Sequence, residues 1–356
     1  MDKTLFDLYT DYLLCSFGPV TATGLSQLVD GAISHDQLTR LLAGEAKRSA
    51  HLWHKVKPLV RQVERPDGVI IIDDTVAEKP YTDENELICW HYDNAKERQV
   101  KGINFLTALY HVAGVSLPVA FDLVTKTEWY YDPKTKKEKR RSALSKNARF
   151  RTLLQVCVHN ALAFAYVLAD LWYAAADNME FIVQVLHKHF VMPLKSNRKI
   201  ALSADEQQAG RYTTVDKLEL TPGQTREIWV EDVPFALLLT KEVFTNKDGS
   251  QGERYLVTDD LTLDDDRITK LYQKRWSVEV YHEALKQNAA LEKSPTRTAT
   301  TQRNHIFASL CAYVKLESVK LKTGVNQFAL KSKIYAAALK TAYQELVKLA
   351  PVSLGA

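Results

Sequence analysis

The sequence predicts an α/β protein with a β-rich insertion and helical regions at both ends. Three observations carry that expectation. Short β-branched apolar runs, VIIID at 69–73 and AYVLAD at 165–170, alternate with helical patterns, as the buried strands of an open sheet do. Between about 198 and 259 the pattern turns to strand after strand: RYTTVDKLEL, REIWV, FALLLTKEVF and ERYLVT. Before residue 60 and after residue 266 the periodicity is helical.

Composition excludes several classes. No apolar run approaches the roughly 18 to 20 residues of a membrane span. The opening MDKTLFDLYTDYLL carries Asp2, Asp7 and Asp11, which a secretory signal avoids. Cys15, Cys89, Cys157 and Cys311 stand far apart, so no disulfide framework is expected and a reducing cytoplasm is the expected compartment. The net charge is only +4, but nine basic residues against the single acid Glu138 lie between Pro133 and Arg151. Such a local field attracts phosphate backbones, although a solvated loop would carry it equally well.

Residues 1–60 read as a helical domain. Thr23 to Val29, a turn at Asp30-Gly31, and Ser34 to Leu42 have the cadence of a helix-turn-helix, with Ser34 as N-cap. Arg40, beside His35, Gln37 and Thr39, would lie on its reading helix; a plain helical hairpin has the same cadence. Residues 61–197 follow as the first part of the α/β core. Val69–Asp73 is its first strand, and INFLTALYHVAG and LPVAFDLV form a hairpin about Gly114. A helix is expected from about Lys146 to Phe164, a strand at 165–170, a helix to about His187, and a strand at Phe190–Asn197. The order β-β-β-α-β-α-β is the ribonuclease-H-like arrangement. A helical crossover lets the fourth strand lie parallel to the first, so Asp73 and Asp170 become neighbours where open sheets place their ligands. Residues 198–259 form the insertion, 260–300 supply the last core helix, and 301–356 are a C-terminal helical region.

LYQKRWSVEVYHEALK, from Leu271 to Lys286, is the most informative segment. On a continuous helix with Arg275 at zero, Glu279 falls at about 40°, Lys286 at about 20° and Tyr272 at about 60°. Spacing alone would allow surface decoration, with Arg275 and Glu279 paired at i, i+4. Tyr272-x2-Arg275-x3-Glu279-x6-Lys286, however, resembles the Tyr-Arg-Glu-Lys signature of bacterial insertion-sequence DDE transposases, the insertion-sequence-four group and its close relatives. Asp73-Asp74-Thr75 resembles that group's Asp-x-Thr motif, and ADLWYAAADNMEFI around Asp170 resembles its second. The resemblance spans roughly residues 65 to 310 and includes the insertion.

The resemblance implies a DNA transposase that cleaves transposon ends and joins the freed 3′-OH to target DNA. Asp73, Asp170 and Glu279 would hold two Mg²⁺, with Mn²⁺ able to substitute, because hard cations take oxygen ligands and two of them can serve both the attacking and the leaving oxygen. Tyr272, Arg275 and Lys286 would hold DNA phosphates. Double-stranded DNA is the implied partner, and a homodimer in a synaptic complex the implied assembly, in a bacterial cytoplasm beside the nucleoid. Asp74 competes with Asp73, since strand alternation points only one of them to the site; the Asp-x-Thr register favours Asp73. Glu283 is a weaker rival of Glu279. Trp229 would stack on a flipped base or pack in the core, and Lys195 and Arg198 would contact phosphates or simply be solvated. A ribonuclease-H-like nuclease without strand transfer and a non-catalytic DNA-binding derivative are the competing readings.

Overall fold

A computed structural model describes residues 3–93, 96–245 and 248–349. Four helices open the chain: α1 (Lys3–Cys15), α2 (Ala22–Leu28), α3 (His35–Ala43) and α4 (Ser49–Val63). Strands β1 (Val69–Glu78), β2 (Cys89–Asp93), β3 (Arg98–Val112) and β4 (Val115–Leu123) follow, then the hairpin β5 (Glu128–Asp132) and β6 (Lys137–Arg141). Next come α5 (Lys146–His159), β7 (Tyr166–Ala169), α6 (Ala176–Glu180) and β8 (His189–Leu194). The segment after it holds β9 (Lys199–Ala201), α7 (Ala204–Gln208), β10 (Thr213–Thr214), β11 (Thr225–Val230), β12 (Leu237–Thr245) and β13 (Gln251–Thr258). Helices α8 (Asp265–Gln273), α9 (Trp276–Asn288), α10 (Ala299–Thr323) and α11 (Gln327–Leu349) complete the chain.

One large mixed sheet runs in the order β10-β9-β11-β12-β13-β8-β7-β1-β3-β2, with β4 also on β3. At its centre β1 and β7 are parallel, with Ile72 beside Ala169, and β7 and β8 are parallel as well. The crossovers that parallel neighbours need run through α5 before β7 and through the helical turns between Ala169 and β8. The strands after Asn197 do not stand apart as a separate body: β13 pairs with β8, so they lengthen the core sheet.

Both faces of the sheet are covered. Val69 and Ile71 share a core with Val278, Tyr281 and Leu285 of α9 and with α1 and α10. Ile70 and Ile72 share another with Phe150 and Leu154 of α5. All four β1 side chains are fully buried, each contributing about 1.5–3 kcal/mol by area. That explains why this strand reads as a continuous apolar run rather than an alternation.

Several elements differ from the sequence expectation for local reasons. The helix expected to reach Phe164 ends at His159, where Ala161 takes φ 50° and Leu162 N–H bonds back to Cys157 O, a left-handed stop. Arg61 donates to the free carbonyls of Asn160 and Ala161. The helix expected after Asp170 is instead a 3₁₀ turn at Leu171–Tyr173, short α6 and a π turn at Phe181–Val185. The single helix expected over 271–286 is two, because Arg275 N–H bonds to Tyr272 O and Val278 N–H to Arg275 O, tightening the backbone between α8 and α9. The basic stretch covers the turn between β5 and β6, the strand β6 and the first turns of α5. Among the described residues no helix is long and apolar enough to cross a membrane.

Candidate active site

β7 stops at Ala169, beside Ile72, while β1 runs on to Glu78. The next residue of each strand is an aspartate, Asp73 on β1 and Asp170 on β7. Strand alternation then separates Asp73 from Asp74. Asp73 follows Val69 and Ile71 onto the α9 face; Asp74 follows Ile70 and Ile72 onto the α5 face.

Asp74 is fully engaged there. It accepts from Asn104 Nδ2 at 2.6 Å, Tyr173 OH at 2.8 Å and Lys146 Nζ at 2.7 Å. Burial pushes its carboxyl up, but Lys146 and these hydrogen bonds outweigh burial and hold it below the ordinary carboxylate range. Asp73 has the opposite surroundings. Its Oδ1 accepts only from the Asp74 backbone, at 2.8 Å. Burial first, then the charges of Asp170, Asp74 and Glu279, push its carboxyl well above the ordinary range. Asp170 caps the following 3₁₀ turn by accepting from Trp172 N–H at 2.9 Å, and burial pushes its carboxyl up to about 6.

Helix α9 brings the remaining groups. Its Val278, Tyr281 and Leu285 dock on the sheet, which leaves Glu279, with a side chain 47% exposed, at the rim of the acidic edge. One donor atom each from Asp73, Glu279 and His282 lies within 4.8 Å of the other two. Arg275, 9% exposed, points into this cluster: its Nη1 is 3.2 Å from Glu279 Oε1 and 3.7 Å from Asp73 Oδ2. A guanidinium thus fills part of the space where like charges meet. Carboxylate oxygens of like charge gathered at one place form a donor set that a divalent cation could satisfy.

Residues 3–220 match the family model of the DDE superfamily endonucleases, and residues 133–315 match that of the transposase DDE domain. The chain belongs to the DDE superfamily. A comparison with curated proteins found no match. Family membership supports a transposase or endonuclease function with DNA as partner.

The other sequence-selected residues of this DDE protein fall in different places. Tyr272 is buried, 3% exposed, with the Arg254 guanidinium 4.7 Å and the Arg275 guanidinium 5.7 Å from its ring. The expected shared face of Tyr272, Arg275, Glu279 and Lys286 is therefore not a solvent face throughout, since Tyr272 and Arg275 are both buried. Lys286 is half-buried near Glu292, 3.6 Å from its carboxylate. Glu283 accepts from Gln287 at 2.8 Å. Lys195 is exposed at the end of β8, next to β7. Arg198 donates to Glu231 O at 3.0 Å. Trp229, half-buried on β11, lies four strands from β7, on the order of 20 Å at strand spacing. Arg40 is exposed on α3, together with His35, Gln37 and Thr39.

Sequence reasoning passed over His282, Trp276 and the Asn104–Lys146–Tyr173 set. His282 stands three residues after Glu279, a Glu-x2-His spacing that places both on one helix side. Trp276 is 55% exposed beside Arg275, whose guanidinium is 5.5 Å from its ring. No periodicity would have located Asn104 or Tyr173, which reach Asp74 from separate elements.

Proposed function

We propose that this DDE protein is a ribonuclease-H-like transposase that cuts the ends of a DNA element and joins the freed 3′ end to target DNA. The observation that supports the reading is that Asp73 and Asp170 follow paired residues of the parallel strands β1 and β7, that Glu279 offers an oxygen within 4.8 Å of Asp73, and that Asp73 lacks a hydrogen-bonding side-chain partner. The residues fit a pair of divalent cations, Mg²⁺ or Mn²⁺: Asp73 feels the charges of both Asp170 and Glu279 and would be shared. Such cations, when bound, acidify the attacking water and stabilise the departing oxygen.

In the hydrolytic step a water oxygen bonds to the scissile phosphorus and the bond to the 3′ oxygen breaks, leaving a 3′-OH and a 5′-phosphate. In the joining step that 3′ oxygen bonds to a target phosphorus in place of water, and the target's bond from phosphorus to its own 3′ oxygen breaks, leaving a 3′-OH on the target strand. The chain's own part is to orient the phosphate and hold its charge. Arg275, already seated at the Asp73–Glu279 pair, is placed to swing onto a phosphate oxygen. Lys286 and Lys195 flank the edge from α9 and β8. The β5–β6 hairpin pairs with no other strand among the described residues and exposes Trp129 and Tyr131 by 59% and 61%. Arg140 lies 4.4 Å over Trp129 and Arg141 5.8 Å over Tyr130. Its foot leads through Ser142, bonded to Arg149 at 2.9 Å, to Lys146 on Asp74. A basic, aromatic ribbon beside the acidic edge suits the DNA flanking the scissile bond. Two copies acting on paired ends would complete the assembly.

The test is an assay of the purified chain on its element's terminal repeats with Mg²⁺ or Mn²⁺. Metal-dependent release of the ends and their appearance in target DNA is the expected result. Cleavage without joining would reduce the activity to that of a nuclease, and no cleavage with either metal would overturn the reading.

A further inference from the structure

The cation site expected from the three acidic residues leaves one buried group unexplained. His282 is 7% exposed, and its Nε2 has no hydrogen-bond partner. A buried nitrogen left unsatisfied costs stability, and a ring serving only as packing needs no nitrogen there. Packing neighbours are present: Phe105 meets the ring edge-on at 6.5 Å and Tyr281 lies 5.3 Å away. Its position is nevertheless not that of a core residue remote from chemistry. One of its ring nitrogens belongs to the cluster within 4.8 Å of the Asp73 and Glu279 oxygens. Two donors bonded to one ion at about 2.1 Å each lie up to about 4 Å apart. Small side-chain rotations therefore close the set.

Resting on the metal-centre reading above, we propose that His282 is a protein ligand of the cation held by Asp73 and Glu279, making that pole of the site a mixed nitrogen–oxygen site. Asp170, whose Oδ1 is engaged with Trp172 N–H, stands outside the cluster and would, with Asp73, hold the second ion through oxygens alone. The two poles then differ in chemistry. Imidazole suits Mn²⁺, Fe²⁺, Co²⁺ and Zn²⁺ more than Mg²⁺, whereas a carboxylate-and-water set suits Mg²⁺. The Glu-x2-His spacing supplies both ligands from one rigid helix, and the sheet supplies the shared carboxylate.

The experiment uses the full-length, tag-free chain without DNA, in a nitrogen-free buffer, loaded with Mn²⁺. Electron spin-echo modulation of the bound Mn²⁺ should show coupling to a ¹⁴N nucleus in the wild type and none in His282→Gln. Mn²⁺ affinity should fall by about tenfold or more in that variant, Mg²⁺ affinity should change far less, and the metal-free melting temperature should stay within a few degrees. Absence of nitrogen coupling in the wild type, or unchanged Mn²⁺ affinity in His282→Gln, overturns the proposal. If the variant does not fold, the wild-type spectrum alone decides. Asp73→Asn separates the two levels: loss of Mn²⁺ binding there without nitrogen coupling in the wild type sinks only the His282 ligand. Mn²⁺ binding unaffected by Asp73→Asn sinks the carboxylate centre itself, and the proposal with it.

Discussion

Asp73 and Asp74 are adjacent in sequence and opposite in environment. Asp74 satisfies Asn104, Tyr173 and Lys146, so Asp74→Ala strands a buried amide and a buried hydroxyl. A cost of about 2–4 kcal/mol is expected, read as a lower denaturation midpoint. Asp73→Asn and Asp170→Asn should do the reverse in the metal-free protein, because each removes a buried charge, which at Asp73 is also held among like charges. For Asp170 the sign is definite. Its folded pKa of about 6 lies above the unfolded value of 3.8, so the folded state binds more protons between them and stability falls as pH rises through that window. Asp170→Asn should therefore stabilise by on the order of 2 kcal/mol at pH 7 and by almost nothing near pH 4. A stabilisation equal at both pH values would show that the carboxyl is not perturbed as described. Saturating Mn²⁺ should raise the wild-type melting temperature, and Asp73→Asn should remove that gain.

At the scale of elements, the buried strands were the most legible part of the sequence. Val69–Ile72 and Val167–Ala169 are apolar on both faces because both faces are covered, and such runs carry the parallel pairing that sets Asp73 beside Asp170. Short-range events were not legible. The break between α8 and α9 rests on i, i+3 backbone bonds at Tyr272 and Arg275, which leave no pattern in the residues. Tyr272 is packed under two guanidinium groups rather than displayed. The β5–β6 hairpin was hidden for another reason: its alternation is basic and aromatic instead of polar and apolar, so it reads as a charge run. Because the hairpin buries little, replacing Trp129 and Tyr131 by Ser and Lys137, Lys139, Arg140 and Arg141 by Gln should leave the melting temperature nearly unchanged. DNA affinity should drop, and the slope of log affinity against log salt should flatten by about one for each phosphate no longer neutralised. An unchanged salt slope would place the DNA elsewhere.

For the whole molecule, the N-terminal helices are part of the core rather than an appended reader. Leu5, Phe6, Tyr9 and Leu13 share one core with β1, α9 and α10, Tyr9 OH lies 2.8 Å from His305 Nδ1, and Ser49 Oγ donates to Phe121 O at 2.6 Å. Removing residues 1–60 should therefore unfold the chain, observable as loss of cooperative melting. A test of sequence reading at α3 needs surface changes such as Gln37→Ala with Arg40→Ala, which should keep stability and relax preference among DNA ends. The same continuity explains how one edge of a long sheet can present an acidic centre: α9 and α5 clamp its opposite faces and set the two aspartates of β1 to different tasks. The most direct test is anomalous diffraction from Mn²⁺-loaded crystals. The account predicts Mn²⁺ bonded to Asp73, with Glu279 and His282 at one pole, Asp170 at the other and Asp74 still held by Lys146; Mn²⁺ absent from Asp73, or bonded to Asp74 instead, would contradict it.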